Sequence, residues 1–226
     1  MDLESVVPWG RNANEYRQMF NLSDKTLDGL KVLGVGDGPA SFNAEMADCQ
    51  CTVVSVDPIY QFSAKEIAAR VREVTPLMES QLSKHADRYI WEDFDCVETL
   101  VNARQCSMAT FLSDFEAGKE QGRYICGSLP RLPFDRDRFD LALCSHLLFL
   151  YDDMMDQDFH FRSLIAMTEI AAEARVFPVV NREGKVSVVL GTTIQQLEKA
   201  GLECVLEPVN YRFQKGADTM LRVKRR

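Results

Sequence analysis

The sequence lacks a long apolar run, a secretory leader and any surplus of positive charge. No stretch approaches the roughly 18 apolar residues that a membrane helix needs, because the longest apolar run, residues 139–151, is interrupted by Asp140, Ser145 and His146. The N-terminus has neither a basic region nor an apolar region, so no secretory signal is predicted. We therefore expect a soluble, cytoplasmic protein with no membrane partner.

Paired cysteines and clustered histidines are also missing. The seven cysteines include no C-x-x-C motif, and an odd number of scattered cysteines predicts buried, reduced thiols. The three histidines are far apart in the sequence, which predicts no metal site. The net charge of −8 argues against nonspecific binding to nucleic acid or to anionic lipid.

What is present is the composition of a globular domain, with 226 residues, 46% hydrophobic and 27% charged. No repeat and no Gly/Ser-rich linker divides the chain, so we predict one domain over residues 1–226. A core at about 30–224 follows a helical extension at 1–23. In that extension Tyr16, Met19 and Phe20 share the i, i+3, i+4 spacing of one helix face.

Short strands alternate with amphipathic helices along the core. The predicted strands are 31–35, 52–56, 123–126, 139–144, 174–180, about 202–213 and 219–224. The predicted helices are 41–47, 63–84, 96–117, 157–173 and one that starts at the capping-box pattern Thr193-x-x-Gln196 and ends before Gly201. This alternation predicts an α/β fold with a mainly parallel sheet. The last two strands are joined by too few residues for a helical crossover, so they form an antiparallel hairpin.

A glycine-rich turn joins the first predicted strand to the next helix. It contains Gly34, Gly36 and Gly38. Glycines let the backbone approach a ligand closely, and free N–H groups at a helix start favour an anionic or carboxylate-bearing group. A tight turn that binds nothing is the alternative interpretation.

An acidic residue stands at the tip of the second strand. Asp57 lies 21 residues after Gly36, a spacing that places a carboxylate to accept hydrogen bonds from ribose hydroxyls. Together the turn and the acid favour a nucleoside-containing ligand. A dinucleotide fits less well, because the last position of G-x-G-x-x-G holds Pro39 or Ser41, depending on which glycine begins the count.

Four stretches in this order carry a family resemblance: residues 32–43, 53–57, 127–134 and 139–146. With the terminal hairpin, they resemble class I S-adenosylmethionine-dependent methyltransferases of the seven-stranded Rossmann-like type. The sequence is also similar to an uncharacterised bacterial subgroup that shares the stretch at 36–45. The resemblance implies a three-layer sandwich and S-adenosyl-L-methionine as cofactor.

The resemblance also implies roles for particular residues. The backbone of Gly36, Asp37 and Gly38 would line the methionine moiety. Gly34, in the same turn, is also predicted to belong to the cofactor-binding residues. Asp57 would hold both ribose hydroxyls. The adenine would lie beside Pro58, Ser128 and Leu129, and Ser145 would lie near the sulfonium.

Three positions depart from the family pattern. The family often has an acid where this chain has Gly34, a glycine at the place of Ala40 and an aspartate at the place of Ser128. A serine and backbone groups can also hydrogen-bond an amine.

His146 is the candidate general base, because it follows the fourth strand in the cofactor-facing loop and histidine titrates near neutral pH. A packing histidine between Phe149 and Tyr151 is the alternative. His85 and His160 are predicted to be surface or packing residues.

Two further segments have open interpretations. Trp9, Arg11, Tyr16 and Phe20 would either close over the cofactor as a lid or pack on the sheet. The acidic run at 152–158 is interpreted as a solvated helix start, with a site for a cationic substrate as the alternative.

The resulting prediction is methyl transfer from S-adenosylmethionine to a small-molecule acceptor. An Asn-Pro-Pro-Tyr motif, typical of amino-methylating nucleic-acid enzymes, is absent from the sequence, so no nucleic-acid substrate is expected. A cofactor-binding protein without transferase activity and a nicotinamide-dependent oxidoreductase are the alternatives. A homodimer is left open.

Overall fold

The protein is described here by a computed structural model, which describes residues 7–226. Seven strands form one sheet in the order β3-β2-β1-β4-β5-β7-β6. Neighbouring strands are parallel from β3 through β5, and β7 runs antiparallel to both β5 and β6. The strands are β1 (Lys31–Val35), β2 (Thr52–Val56), β3 (Tyr124–Ile125), β4 (Phe139–Ser145), β5 (Ala171–Phe177), β6 (Leu202–Pro208) and β7 (Thr219–Arg225). The predicted Rossmann-like α/β fold with a closing hairpin is confirmed.

Helices cover both faces of this sheet. Alternate residues of β1 pack in two separate apolar clusters, Val32 in one and Leu33 with Val35 in the other, because side chains along a strand point to opposite faces. The helices are α1 (Ala13–Met19), α2 (Asp24–Leu27), α3 (Phe42–Glu45), α4 (Ala64–Lys84), α5 (Val97–Glu120), α6 (Gln157–Ile170) and α7 (Leu190–Lys199). These two clusters, one on each face of the sheet, confirm the predicted three-layer sandwich.

The register of the first two strands positions the site. β1 and β2 are paired from Lys31 with Thr52 to Val35 with Val56, so both strands end at the same edge of the sheet. Gly36 and Asp57 therefore follow their strands side by side. The N–H of Gly36 extends the ladder by donating to the carbonyl of Val56 at 2.8 Å.

The N-terminal segment is helical over a shorter range than 1–23. Asn12 caps α1, and Glu15 completes a capping box by accepting from the N–H of Asn12. Tyr16, Met19 and Phe20 are buried together, which confirms the predicted apolar face. The part of the predicted extension at residues 1–6 lies outside the described residues.

Two boundaries around β5 differ from the prediction. α6 ends at Ile170 and β5 begins at Ala171, three residues before the predicted start, because helix and strand join with no turn residue between them. α7 begins at Leu190, and Thr193 lies inside it with its hydroxyl donating to the carbonyl of Val189 at 2.8 Å. The predicted capping box at Thr193 is therefore wrong. The predicted helix end is confirmed, since Gly201 follows the C-cap Ala200 with φ +89°.

The hairpin strand β6 is shorter than predicted. It ends at Pro208, and residues 209–218 form a connection that carries Tyr211 and Phe213 back toward the sheet's carboxyl edge. All seven cysteines are free, but only Cys144 is buried. The expectation of buried thiols is wrong for the other six, which lie on exposed or half-buried positions. No helix among residues 7–226 has the length and apolarity to cross a membrane.

Candidate functional site

A cavity of about 330 Å³ lies at the carboxyl ends of β1, β2 and β4. Ligands in sheets of this kind bind at that edge, where the loops after the strands diverge. Nine of the ten predicted site residues line this cavity, and Gly34 does not: Gly36, Asp37, Gly38, Asp57, Pro58, Ser128, Leu129, Ser145 and His146.

The glycine turn forms one wall. Gly36 and Gly38 have φ values of +68° and +55°, which other residues seldom adopt. A Cβ on Gly36 would lie 2.5 Å from Cδ2 of Leu147, so that side chain would have to move, and the positive φ would be strained in addition. The hydroxyl of Tyr60 donates to the carbonyl of Gly38 at 2.8 Å and fixes the turn from below.

Asp57 faces the turn from the tip of β2. Its carboxylate accepts from the N–H of Gly38 at 2.9 Å and from the N–H of Ile59 at 2.8 Å. No Lys or Arg in the described range forms an ion pair with it. Burial therefore raises the pKa of Asp57 to about 6, against the lowering effect of the two N–H donors. Each oxygen keeps a further lone pair for a ligand donor.

Asp37 belongs to the same wall, but its carboxylate is turned inward. It accepts from the hydroxyl of Tyr16 at 2.7 Å and from that of Ser55 at 2.6 Å. Burial raises the pKa of Asp37 to about 6. The carboxyl group fills the space above Gly34, where a Cβ would lie 1.7 Å from Oδ2. Gly34 therefore makes room for Asp37 and does not line the cavity.

Ser145 and His146 form the opposite end. The two side chains are linked by a 2.9 Å contact between Ser145 Oγ and His146 Nδ1. His146 has φ +54°, so the chain turns sharply where β4 ends. Burial, followed by the charges of Arg11 and Arg104, lowers the pKa of His146 well below 6.5 and keeps the ring neutral. His160, in contrast, is buried. Its Nε2 accepts from the N–H of Phe149, and its Nδ1 lies 2.7 Å from the carbonyl oxygen of Asp156, which is the environment predicted for a packing residue.

Apolar groups form the remaining walls. Pro58 and Ile59 follow Asp57 on one side, and Leu129 lies on the loop after β3. Ser128 on that loop is exposed, and its carbonyl accepts from the N–H of Arg131 at 3.0 Å. Such walls suit a flat, largely apolar ring with polar edges.

Residues of the N-terminal segment form part of the cavity wall. Trp9, Arg11 and Tyr16 line it, and Phe20 is buried in the core instead. The packing interpretation is confirmed for Phe20, and the lid interpretation stays a prediction for the three residues that line the cavity. Ser55, a single polar residue inside an otherwise β-branched strand, is the sequence signal that could have shown that β2 supports Asp37.

A second, smaller cavity of about 90 Å³ adjoins the first. Both cavities are lined by Val7, Trp9, Arg11 and His146. The sequence predicted nothing at this place.

The fold and the site together define a Rossmann-like α/β protein with a ligand cavity at the carboxyl edge of its sheet. The chain is 30% identical over 226 residues to the uncharacterised protein MJ0045 of Methanocaldococcus jannaschii, an alignment that covers 100% of this chain and 99% of the relative. The chain belongs to the same family as this archaeal protein. No family model matches the sequence, and membership of a bacterial subgroup stays a prediction.

Solved structures with partial likeness include three methyltransferases. A TehB-like S-adenosylmethionine-dependent methyltransferase from Corynebacterium glutamicum has a TM-score of 0.47 at 15% identity, covering 94% of this chain and 86% of that chain. A methyltransferase from Thermotoga maritima described as a possible histamine N-methyltransferase has 0.47 at 16%, covering 94% and 87%. Magnesium protoporphyrin IX methyltransferase from Synechocystis has 0.46 at 14%, covering 90% and 73%.

Proposed function

We propose that the protein transfers a methyl group from S-adenosylmethionine to a small-molecule acceptor. The observation that supports this most is the placement of Asp57 opposite the glycine turn, on adjoining strand tips, with His146 at the other end of the same cavity. One end thus offers an acceptor for ribose hydroxyls, and the other a neutral base.

The cavity fits the cofactor in size and in chemistry. Its 330 Å³ lies within the range of about 300–1,000 Å³ that small-molecule and cofactor sites have. The carboxylate of Asp57 suits a vicinal diol, and Pro58, Ile59 and Leu129 suit the faces of a purine. The carboxylate of Asp57, which has no cationic ion-pair partner among residues 7–226, suits a ligand that carries positive charge.

The residues predicted from the sequence have distinct roles in this proposal. Asp57 would hold the ribose, the backbone of Gly36 and Gly38 would hold the methionine moiety, and Ser145 would lie near the sulfonium end. When bound, the cofactor supplies a methyl carbon that bonds to the acceptor atom as its bond to sulfur breaks, with the electron pair staying on sulfur and the acceptor's proton passing to a base. The protein contributes orientation and the exclusion of water.

His146 is the base in this proposal. The hydroxyl of Ser145 donates to Met19 Sδ at 3.6 Å, so it receives the Nδ1 proton of His146 at its oxygen. This assignment of protons leaves Nε2 unprotonated and able to accept a proton from an oxygen or nitrogen acceptor. The low pKa of His146 keeps it in this form across the neutral range.

Calorimetry with S-adenosylhomocysteine tests the site. Asp57→Ala should weaken binding at least tenfold, because the ribose loses its acceptor and the turn loses a link to Gly38. The exposed Asp95→Ala removes the same charge elsewhere and should bind as the wild type. Unchanged affinity in Asp57→Ala would contradict the ribose contact.

Two further assays separate the alternatives. Stabilisation against heat by NAD but not by S-adenosylhomocysteine would overturn the methyltransferase proposal in favour of an oxidoreductase. Incubation with methyl-labelled cofactor and a cell extract should label a small metabolite. Tight cofactor binding without any labelled product would instead indicate a binding protein.

A further inference from the structure

The second cavity has walls suited to a flat apolar molecule. Tyr89 and Phe213 stack at 4.7 Å between ring centroids, and both rings are buried. Tyr151 and the aliphatic side chains of Leu82 and Leu100 also line it. The volume of about 90 Å³ corresponds to about three waters at about 30 Å³ each, so a substituted ring bound here would extend into the adjoining larger cavity. Aromatic walls around such a space favour a planar ligand.

The charges at this cavity do not balance. Arg11 and Arg104 both line it, and both lie near Glu15. Glu15 is already committed, since it pairs with Arg104 and accepts from the hydroxyl of Tyr211 at 2.9 Å. Two arginines and one glutamate leave a net charge of +1. A third arginine, Arg182, has its own partner in Asp153.

Arg11 is the cation left over. Among residues 7–226 no carboxylate is within ion-pair distance of it; its Nη1 donates to the carbonyl of Trp9 at 3.2 Å, and its buried Nε has no hydrogen-bond partner there. Burial and the neighbouring Arg104 lower the pKa of Arg11. A partly buried charge without a counter-charge is costly, so the arrangement favours an anion brought by a ligand.

The two cavities differ in sign. Arg11 lines both cavities. The larger one also contains Asp37 and Asp57, which have no cationic ion-pair partner in the described range, whereas the described lining of the smaller one adds Arg104 and Arg182 and no carboxylate. A positively charged cofactor matches the first and an anion matches the second. His146 lines both cavities, so it lies between the proposed cofactor and a ligand in the smaller cavity.

We propose that the second cavity is the acceptor site and that the acceptor is a planar aromatic acid whose carboxylate pairs with Arg11. This inference rests on the proposed methyl transfer. The acceptor's hydroxyl or amine would face His146 and lose its proton to Nε2. The acceptor atom would then bond to the methyl carbon as the bond between that carbon and sulfur breaks. Guanidinium binds a carboxylate through two parallel hydrogen bonds, which would also fix the ring's orientation.

Calorimetry with 4-hydroxybenzoate and its neutral amide, 4-hydroxybenzamide, tests the proposal in the presence of saturating S-adenosylhomocysteine. The wild type should prefer the acid at least tenfold. Arg11→Gln should lose at least tenfold in affinity for the acid, and its affinities for the amide and for S-adenosylhomocysteine should stay within twofold. Arg70→Gln, a matched change at an exposed arginine, should behave as the wild type.

Three results would overturn the inference: no binding of the acid, equal binding of acid and amide, or an Arg11→Gln variant that weakens S-adenosylhomocysteine as much as the acid. The last would assign Arg11 to the cofactor's own carboxylate. If Arg11→Gln does not fold, the acid-to-amide preference of the wild type and of Arg11→Lys decides. Acid binding that depends on Arg11, in a protein that never binds S-adenosylhomocysteine, would refute the proposed function and leave the anion site standing.

Discussion

Gly34 and Asp37 are coupled by steric exclusion. In Gly34→Ala the new Cβ would lie 1.7 Å from Asp37 Oδ2, and the three atoms nearest to it all belong to the Asp37 carboxyl group. No real contact is that short, so the carboxyl group must move. It would then leave the hydroxyls of Tyr16 and Ser55, which donate to it at 2.7 and 2.6 Å.

The expected size follows from these two hydrogen bonds. A hydrogen bond to a charged group contributes about 1.5–3 kcal/mol, so loss of both in Gly34→Ala costs about 3–6 kcal/mol if the turn does not relax. This is a large part of a typical unfolding free energy of about 5–15 kcal/mol. Asp37→Ala should lower the unfolding free energy by about 2–4 kcal/mol. The loss comes from two buried hydroxyls left without an acceptor, and removal of a buried charge offsets part of it. The double variant has no carboxyl group to displace, so it should cost no more than Asp37→Ala alone.

Urea unfolding of the wild type, both single variants and the double variant measures this coupling. We expect an interaction free energy of at least about 2 kcal/mol, with the double variant more stable than the sum of the singles. Gly191→Ala is the control, since nothing lies within 4 Å of its Cβ position and the substitution should be neutral or stabilising. Additivity within about 0.5 kcal/mol would refute the steric argument.

Three further predictions concern the pocket and its support. Burial raises the pKa of Asp57 to about 6, so the folded state holds its proton while the unfolded state loses it between about pH 4 and 6, and this part of the stability falls as the pH rises. Asp57→Asn removes the titration and should gain up to about 3 kcal/mol relative to the wild type between pH 4 and 7 in urea unfolding; a difference that does not change with pH contradicts this. Glu15→Ala leaves the buried Arg104 without its ion-pair partner and should lower the unfolding free energy by about 3–5 kcal/mol. A loss below about 1 kcal/mol would mean that the two side chains do not form an ion pair in solution. His146→Ala should lower the methyl-transfer rate about 100-fold with unchanged S-adenosylhomocysteine affinity, and the wild-type rate should not show a histidine titration between pH 6 and 8.

The larger cavity could be predicted because its signals are local. Gly36 and Asp57 each follow a run of buried β-branched or apolar residues, and parallel strands bring such ends to one edge. The sequence places them 21 residues apart, and the structure joins them through Gly38 at 2.9 Å. Residues whose function depends on the end of a strand are thus visible before the fold is known.

The second cavity could not be predicted, because it depends on distant segments. Arg11 precedes the first helix, Arg104 is on α5, and Phe213 is on the connection after β6. The sequence pattern predicts a strand through Phe213, whereas β6 ends at Pro208, so the pattern does not indicate the return of Phe213 to the sheet edge. The inward turn of Asp37 is likewise a property of packing, since it depends on the hydroxyls of Tyr16 and Ser55 and on the space left by Gly34.

The N-terminal segment is a fixed wall of the cavity and not a loosely attached one. Its backbone touches the glycine turn, where the N–H of Ser41 donates to the carbonyl of Arg11 at 3.0 Å and Gly10 lies too close to Pro39 for any side chain. Its helix α1 is held by buried polar contacts, from Tyr16 to the turn and from Glu15 to α5. Breaking such contacts strands buried polar groups, which costs more than moving an apolar flap. The same contacts that fix the helix therefore hold Trp9 and Arg11 in place between the two cavities.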